Sequence, residues 1–382
     1  MSASGPAPLS GRPVTITGLG AHVPAKVVTN DDLAKVLDTS DEWIRQRTGI
    51  RERRVAEAGL SSSDLGIMAA REALADACVS ASSIDLVITA TISPDRMMPA
   101  TAARIAHDCG CGNAGAYDVS AGCTGFVYAL AMAAGAVASG LHNQVLVVGA
   151  ETISRIIDWE DRSTAILFGD GAGAVVVSVC GSSPGFGVAH SCLDTRGSGG
   201  ILGFDLGGDG AGEELLLIPA GGSRLPASCA TVEARQHFMK MNGREVYKFA
   251  TRVIAQSAGR VLERCGREMD EIDLFVPHQA NLRIIDAAVE KLGMAKEKVY
   301  TNLQEYGNTS CASIPLCLCG ARAEGRLHQG DLILLMGFGA GLTWGSCLME
   351  WGQTGMGRAG RGHASEGEGG AGNTRAADGR RD

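Results

Sequence analysis

Two short runs constrain the fold of this chain more than anything else in it: Ile84-Asp-Leu-Val-Ile88 and Ile272-Asp-Leu-Phe-Val276. Each follows a helical stretch and a short polar turn. The first stretch covers residues 63–77. The second covers 245–262 and places Val246, Phe249, Ala250, Val253, Ile254 and Val261 on one face. A second matching pair comes later in each half, Gln144–Val148 and Asp331–Leu335. Short apolar runs without alternation fit strands covered on both faces. Two element pairs recurring in the same order predict an internal duplication, each half a mixed sheet with helices packed on it. Generic α/β similarity is the competing explanation, because Asp-Leu-Val-Ile runs are common.

The chain's 382 residues exceed one ordinary core and suit two packed halves. Its 53 glycines and 4% aromatic content fit close helix–sheet packing with many tight turns. Residues 1–11 read as a flexible N-terminus, 12–182 as the first half and 183–351 as the second. Residues 352–382, almost free of apolar side chains, read as a disordered tail. The Gly-rich stretch 197–230 reads as an irregular surface excursion between the halves. In finer detail, 12–20 reads as a strand ending in a Gly turn. Asn30 or Asp31 is the expected cap of a helix running to Leu37, and Ser40-Asp41-Glu42 caps the next.

A net charge of −8 argues against non-specific nucleic-acid binding as the main activity. No apolar run approaches the length of a membrane span, and the first residues lack a secretory pattern, so a soluble intracellular protein without membrane insertion is expected. The twelve Cys are scattered among apolar stretches and read as reduced thiols rather than a disulfide scaffold. Cys109-Gly-Cys111 and Cys317-Leu-Cys319 look like half-sites for a metal, but no further ligands lie at zinc-site spacing, and no metal is expected.

Cys123 stands apart from the other cysteines. In Ser120-Ala-Gly-Cys123-Thr-Gly-Phe126 an apolar strand gives way to a small-residue helix, whose first turn presents unpaired N–H groups that favour a thiolate. Among eight His, His278 is singled out because it directly follows the buried strand ending at Val276, where side chains emerge into crevices. Asn308, in Tyr306-Gly-Asn-Thr-Ser310, taken alone reads as a cap or turn residue. Gly337-Phe-Gly-Ala-Gly341 follows a predicted strand and could bring backbone N–H groups close to a ligand, as an oxyanion site requires. Together these fit a Cys-centred acyltransferase.

These segments resemble the β-ketoacyl-acyl-carrier-protein synthase III family, the condensing enzymes that initiate type II fatty acid synthesis. The resemblance runs from about Val14 to Trp351. It includes Asp41–Gly49, Asp161–Thr164, Phe168–Gly173, Met241–Lys248 and Gly337–Gly345. It implies the thiolase-like α/β fold, two duplicated halves with five-stranded cores forming an α-β-α-β-α layered structure. It implies that Cys123 takes acetyl from acetyl-CoA, and that His278 and Asn308 support decarboxylation of malonyl-acyl-carrier protein. The N–H groups of Cys123 and Ala340 would form an oxyanion hole. The family often has Gly at the position of Ala340, so a slightly narrower pocket is expected.

By the same resemblance Trp43, Arg47 and Arg162 hold CoA. Met98 shapes the acyl pocket across a homodimer interface, with Phe338 beside the active groups. No cofactor is implied beyond the two substrates. Arg244, Lys248 and Arg252 recur every four residues and, with Arg283, form a candidate docking stripe for an acidic acyl carrier protein, though charged helix faces are often merely solvated. A moderately lowered thiol pKa at Cys123 is expected. The Cys-His-Asn set separates this chain from elongating ketosynthases with two His, and the Trp43/Arg47 motif from chalcone-synthase-like enzymes. A 3-hydroxy-3-methylglutaryl-CoA synthase would need a catalytic acid in the first half, and no Glu is evidently placed for it. A related enzyme with another acyl-CoA primer, or a non-catalytic carrier-protein binder, are the alternatives. Bacterial cytoplasm is the expected compartment, with plastid stroma as the alternative.

Overall fold

The computed structural model describes residues 9–180 and 199–352. Most of the expected flexible start, the boundary at 182/183, His190, His363 and the tail 353–382 lie outside the described residues. In the first half, β1 (Val14–His22) is followed by α1 (Asp41–Thr48), α2 (Ser62–Asp76), β2 (Leu86–Ala90), β3 (Gly115–Val119), α3 (Gly125–Ala138), β4 (Gln144–Glu151) and β5 (Gly171–Val179). In the second come β6 (Gly200–Gly208), α4 (Gly243–Cys265), β7 (Leu274–Pro277), α5 (Leu282–Leu292), α6 (Ser313–Ala323), β8 (Leu332–Gly339) and β9 (Thr343–Glu350).

The duplication is visible in the strand order. The first sheet runs β1-β5-β4-β2-β3, with the β1/β5 and β5/β4 pairs antiparallel and the other two parallel. The second runs β6-β9-β8-β7 with the same alternation of senses. It has four strands rather than the expected five among the described residues. The counterpart of β3 is reduced to one parallel bridge from Phe275 to Val299.

Five layers result. Helices α3 and α6 lie between the sheets, where Phe126, Leu130, Ile314 and Leu318 share one core with Ile88, Val147, Ile333 and Leu335. Outside the first sheet, α2 and the helix Thr101–Cys109 bury Leu65, Ile67, Leu74 and Ile105. Outside the second, α4 and α5 bury Phe249, Val253, Ile254 and Ile285. A helix covered on both sides cannot be amphipathic, and α3 (Gly-Phe-Val-Tyr-Ala-Leu-Ala-Met-Ala-Ala-Gly-Ala-Val-Ala) uses small residues to let both sheets approach. The N-termini of α3 and α6 meet: a Cβ on Gly125 would lie 2.8 Å from Cys311 Sγ.

The structure corrects two local expectations. Residues 200–208 are not an excursion but β6, paired along its length with β9. Its glycines serve close packing rather than turns. A Cβ on Gly203 would lie 2.8 Å from Cys265 Sγ of α4, and one on Gly207 2.3 Å from the Trp344 ring. The cap of the helix Asn30–Ala34 is Thr29, joined to Asp32 in a capping box, and that helix stops well before Leu37. Asn30 is instead buried, and its amide donates to the Ile50 carbonyl at 2.8 Å and to Asp41 at 2.9 Å. Ser40 caps α1 as expected, accepting from the Trp43 N–H at 3.2 Å.

Candidate active site

The parallel strands β2, β3 and β4 end at the same edge of the first sheet, and β7 ends opposite them. Residues that follow such strand ends project into a crevice. Cys123 follows β3 and precedes α3. His278 follows β7 directly. Both line a cavity of about 130 Å³ together with Asn308, Phe338, Leu167, Met241 and Tyr247. Cys123 also lines a second cavity of about 360 Å³, which is walled by Ile92, Phe168, Leu216, Ile218, Met239 and Ala340. The thiol is thus the partition between a smaller chamber holding the polar groups and a larger apolar one.

Two glycine turns hold the thiol in place. Gly122 has φ of 55° and a Cβ there would lie 2.6 Å from the Ala340 nitrogen. A Cβ on Gly339 would lie 2.6 Å from the Cys123 nitrogen. Side chains at either position would push the turns apart, so the glycines are what bring the amides of Cys123 and Ala340 to one place. Thr343 Oγ1 ties the same turns together, lying 2.9 Å from both the Ala121 and Ala340 carbonyls.

Burial pushes the Cys123 thiol up to about 12, with Glu151 acting in the same direction and a hydrogen bond with Ser310 opposing it. This reverses the expected lowering. Cys123 lies two residues ahead of the first α3 residue and is only 6% exposed, and it is this loss of water that drives the rise. Its resting form is the thiol.

Asn308 is fixed from both sides. Its N–H donates to the Leu167 carbonyl at 2.8 Å, and its carbonyl accepts from Gly169 at 3.0 Å. The side-chain oxygen accepts from the Ser310 N–H at 2.9 Å, which leaves the amide NH2 as the group available to a ligand. His278 is 1% exposed, and burial lowers its imidazole to about 3, so it is neutral at any physiological pH. Its Nδ1 lies 2.7 Å from Ser313 Oγ, and the ring stands edge-on to Phe338 with centroids 5.4 Å apart. Ser313 Oγ is also 2.8 Å from the Ser310 carbonyl. Turned to the ring, its single proton leaves Nε2 as a donor; turned to Ser310, it leaves Nε2 as an acceptor.

The remaining expected residues fall into three places. Trp43, Arg47 and Arg162 come together at the surface, with the two guanidinium carbons 4.6 and 4.8 Å from the Trp43 ring centroid. Arg162 also donates to the Asp38 carbonyl at 2.6 Å. Arg53 braces this region from below. Fully buried, it donates to Asn30 Oδ1 and to the Ile166 carbonyl, both at 2.9 Å. Arg244, Lys248, Arg252 and Arg283 are all exposed. Gly243 and Tyr247 of α4, Ile284 of α5 and Asn281, which caps α5, lie beside them and line the smaller cavity. Met98 is 82% exposed and is not among the residues lining either cavity.

Sequence reasoning missed Glu151 and Ser313. Glu151 carries a readable signal, an acid at the end of the apolar run Val145–Ala150; Ser313 carries none. Among the described residues no cluster of three or more His, Cys, Asp or Glu could hold a metal ion, and no helix is long and apolar enough to cross a membrane.

The model of the family described as 3-oxoacyl-[acyl-carrier-protein (ACP)] synthase III matches residues 117–197, and that of its C-terminal part matches 262–351. The chain is 50% identical over 342 residues to the β-ketoacyl-[acyl-carrier-protein] synthase III of Symbiobacterium thermophilum, covering 90% of this chain and 99% of that one. Identity to the protein of the same name from Caldanaerobacter subterraneus is 48%, over 88% of this chain and 97% of the other. The crystal structure of the Thermus thermophilus synthase III superposes with a TM-score of 0.79 at 47% identity, covering 88% of this chain and 99% of that one.

Proposed function

Because the chain belongs to the β-ketoacyl-[acyl-carrier-protein] synthase III family, we propose that it is the acyltransferase that begins fatty acid synthesis, condensing an acyl-CoA, by default acetyl-CoA, with malonyl-acyl-carrier protein. The observation that carries the assignment of roles is the shared cavity of Cys123, His278 and Asn308. In the first half-reaction Cys123 sulfur attacks the thioester carbonyl. Its proton is lost to solvent as the sulfur attacks and one returns to the departing CoA sulfur, so CoA leaves as a thiol and the acetyl group stays on Cys123. The N–H groups of Cys123 and Ala340 receive the oxyanion.

In the second half-reaction the malonyl C–C bond breaks to release CO2. The electron pair moves toward the thioester oxygen, where Nε2–H of His278 and the NH2 of Asn308 donate to it. The resulting carbon nucleophile attacks the acetyl carbonyl, the Cys123 thiolate departs, and one proton from solvent restores the thiol. A high thiol pKa suits neither step in water. Here the charge exists only while donors face it, and burial strengthens those donors. Protein that takes up no acyl group from any CoA ester would refute this function.

Arg47, Arg162 and Trp43 form the CoA contact: the guanidinium groups pair with phosphates and the indole stacks on the adenine. One guanidinium must leave the ring as the base arrives. Trp43→Ala is therefore expected to raise KM for acetyl-CoA about tenfold while kcat stays within about twofold, measured by steady-state kinetics. The basic groups Arg244, Lys248, Arg252 and Arg283 receive the acidic carrier beside the cavity mouth.

The protein acts as a homodimer. Among the described residues β3 is the edge strand of the first sheet, and Met97 and Met98, just ahead of the Thr101 whose N–H donates to Asp118 of β3, are 83% and 82% exposed, a combination that calls for a covering surface. A second copy places Met98 against the larger cavity of its neighbour. Sedimentation is expected to give twice the 39.4 kDa chain mass, and Met98→Asp to give the single chain. A native protein sedimenting at 39.4 kDa at micromolar concentration would refute the dimer. The bacterial sources of the relatives favour bacterial cytoplasm over plastid stroma.

A further inference from the structure

Glu151 is fully buried at the end of β4, and its carboxylate touches both halves of the molecule. From the first half it accepts the N–H of Ile92 at 3.1 Å, the N–H of Ser93 at 3.1 Å, the Ser93 hydroxyl at 2.6 Å and the Thr91 hydroxyl at 3.1 Å. From the second half it accepts the N–H of Cys311 at 3.4 Å. Burial raises the carboxyl above its ordinary value, and this ring of donors, whose backbone N–H groups can only donate, works against that rise. Cys311 then extends the connection. Its thiol donates to the Gly122 carbonyl at 3.1 Å, one residue from the nucleophile.

Each contacted turn carries a working group. Ile92 lines the larger cavity. The turn 308–313 carries Asn308 and the Ser313 that meets His278. Gly122 sets the position of Cys123. Glu151 itself lines neither cavity, so it cannot touch a substrate. We infer that Glu151 is a positioning residue, a buried carboxylate clamp that holds the Asn308–Ser313 turn of one half in register with the Cys123 turn of the other. When ionised, the same carboxylate adds to the effect of burial in opposing ionisation of Cys123. The other titratable groups facing that sulfur are Cys311 and, across the smaller cavity, His278 and Tyr247.

This rests on the roles assigned above to Cys123, His278 and Asn308. Wild-type protein that neither takes up acetyl from acetyl-CoA nor decarboxylates malonyl-acyl-carrier protein sinks those roles first, before any variant is compared. Given an active wild type, two variants decide the inference. Glu151→Gln removes the charge and turns an NH2 toward donors. Its kcat for malonyl decarboxylation is expected to fall about tenfold or more, with KM within about threefold. The pH midpoint for alkylation of Cys123 by iodoacetamide is expected to move down by about one unit. Glu151→Asp keeps the charge but withdraws it by one methylene, and should lower the decarboxylation kcat while leaving the midpoint in place. A carboxylate that served only stability would lower the melting temperature and move neither the midpoint nor the ratio of kcat to KM. Wild-type kcat in either folded variant, or an unmoved midpoint in folded Glu151→Gln, overturns the inference. Should Glu151→Gln fail to fold, the kcat of Glu151→Asp decides it.

Discussion

Replacing Cys123 by alanine is expected to abolish the mass gain of one acetyl group on incubation with acetyl-CoA, and to lower turnover by a factor on the order of 10³ or more. Intact-protein mass spectrometry reads the first outcome, and product formation with malonyl-acyl-carrier protein the second. The test is specific because no other described cysteine lines either cavity beside Cys123. Cys311 is the nearest rival, but it is buried, its thiol is pushed well above the usual range, and its hydrogen bond to Gly122 is already made. Acetylation persisting in Cys123→Ala would remove Cys123 as the nucleophile. The same incubation with a mixture of acyl-CoA esters identifies the primer from the mass that accumulates.

The second large effect separates the half-reactions. Asn308→Ala and His278→Ala are each expected to lower malonyl decarboxylation by about 10²-fold, with a smaller loss in acylation of Cys123. The reasoning lies in the donors: Asn308 and His278 line the smaller cavity, whereas the amides of Cys123 and Ala340 are the ones proposed above to receive the acyl carbonyl. Equal losses in both half-reactions would contradict the division. Because burial holds His278 near 3, decarboxylation should show no inflection around pH 6.5. The unfolded chain protonates His278 below about 6.5 and the folded protein does not until near 3, so this residue also makes stability fall as pH drops through that window. An inflection at 6.5 that vanishes in His278→Gln would show a charged imidazole in the working enzyme.

Much of the fold was legible because buried strands leave a strong trace. The runs at 84–88, 144–148, 272–276 and 331–335 all lie in or against strands of the two sheets. What failed to show was governed by contacts distant in sequence. Strand β6 looked irregular because its glycines answer to Cys265 and Trp344, which lie elsewhere in the chain. Thr29 took the cap from Asn30 because Asn30 was needed to hold Ile50 and Asp41. At the site, strand-end placement pointed to Cys123 and His278. Asn308 was an ordinary turn residue until its pairing with 167–169 turned its amide toward them. The thiol's pKa was misjudged for the same reason: a helix terminus can be read locally, but exclusion of water cannot.

The meeting of α3 and α6 at Gly125 and Cys311 has a consequence for the character of the site. Duplication supplied each half with a central helix, and folding placed the two starts side by side. Each start carries a partial positive charge of about half a unit. An anion formed between them is met by peptide dipoles from two independent units of the fold. Such a field is built into the backbone, takes up and releases no protons, and cannot be removed by changing any one side chain. The inherited symmetry thus provides a backbone contribution that carries no proton, which the Glu151 carboxylate at the Cys311 N–H partly offsets and to which Asn308 and His278 add direction.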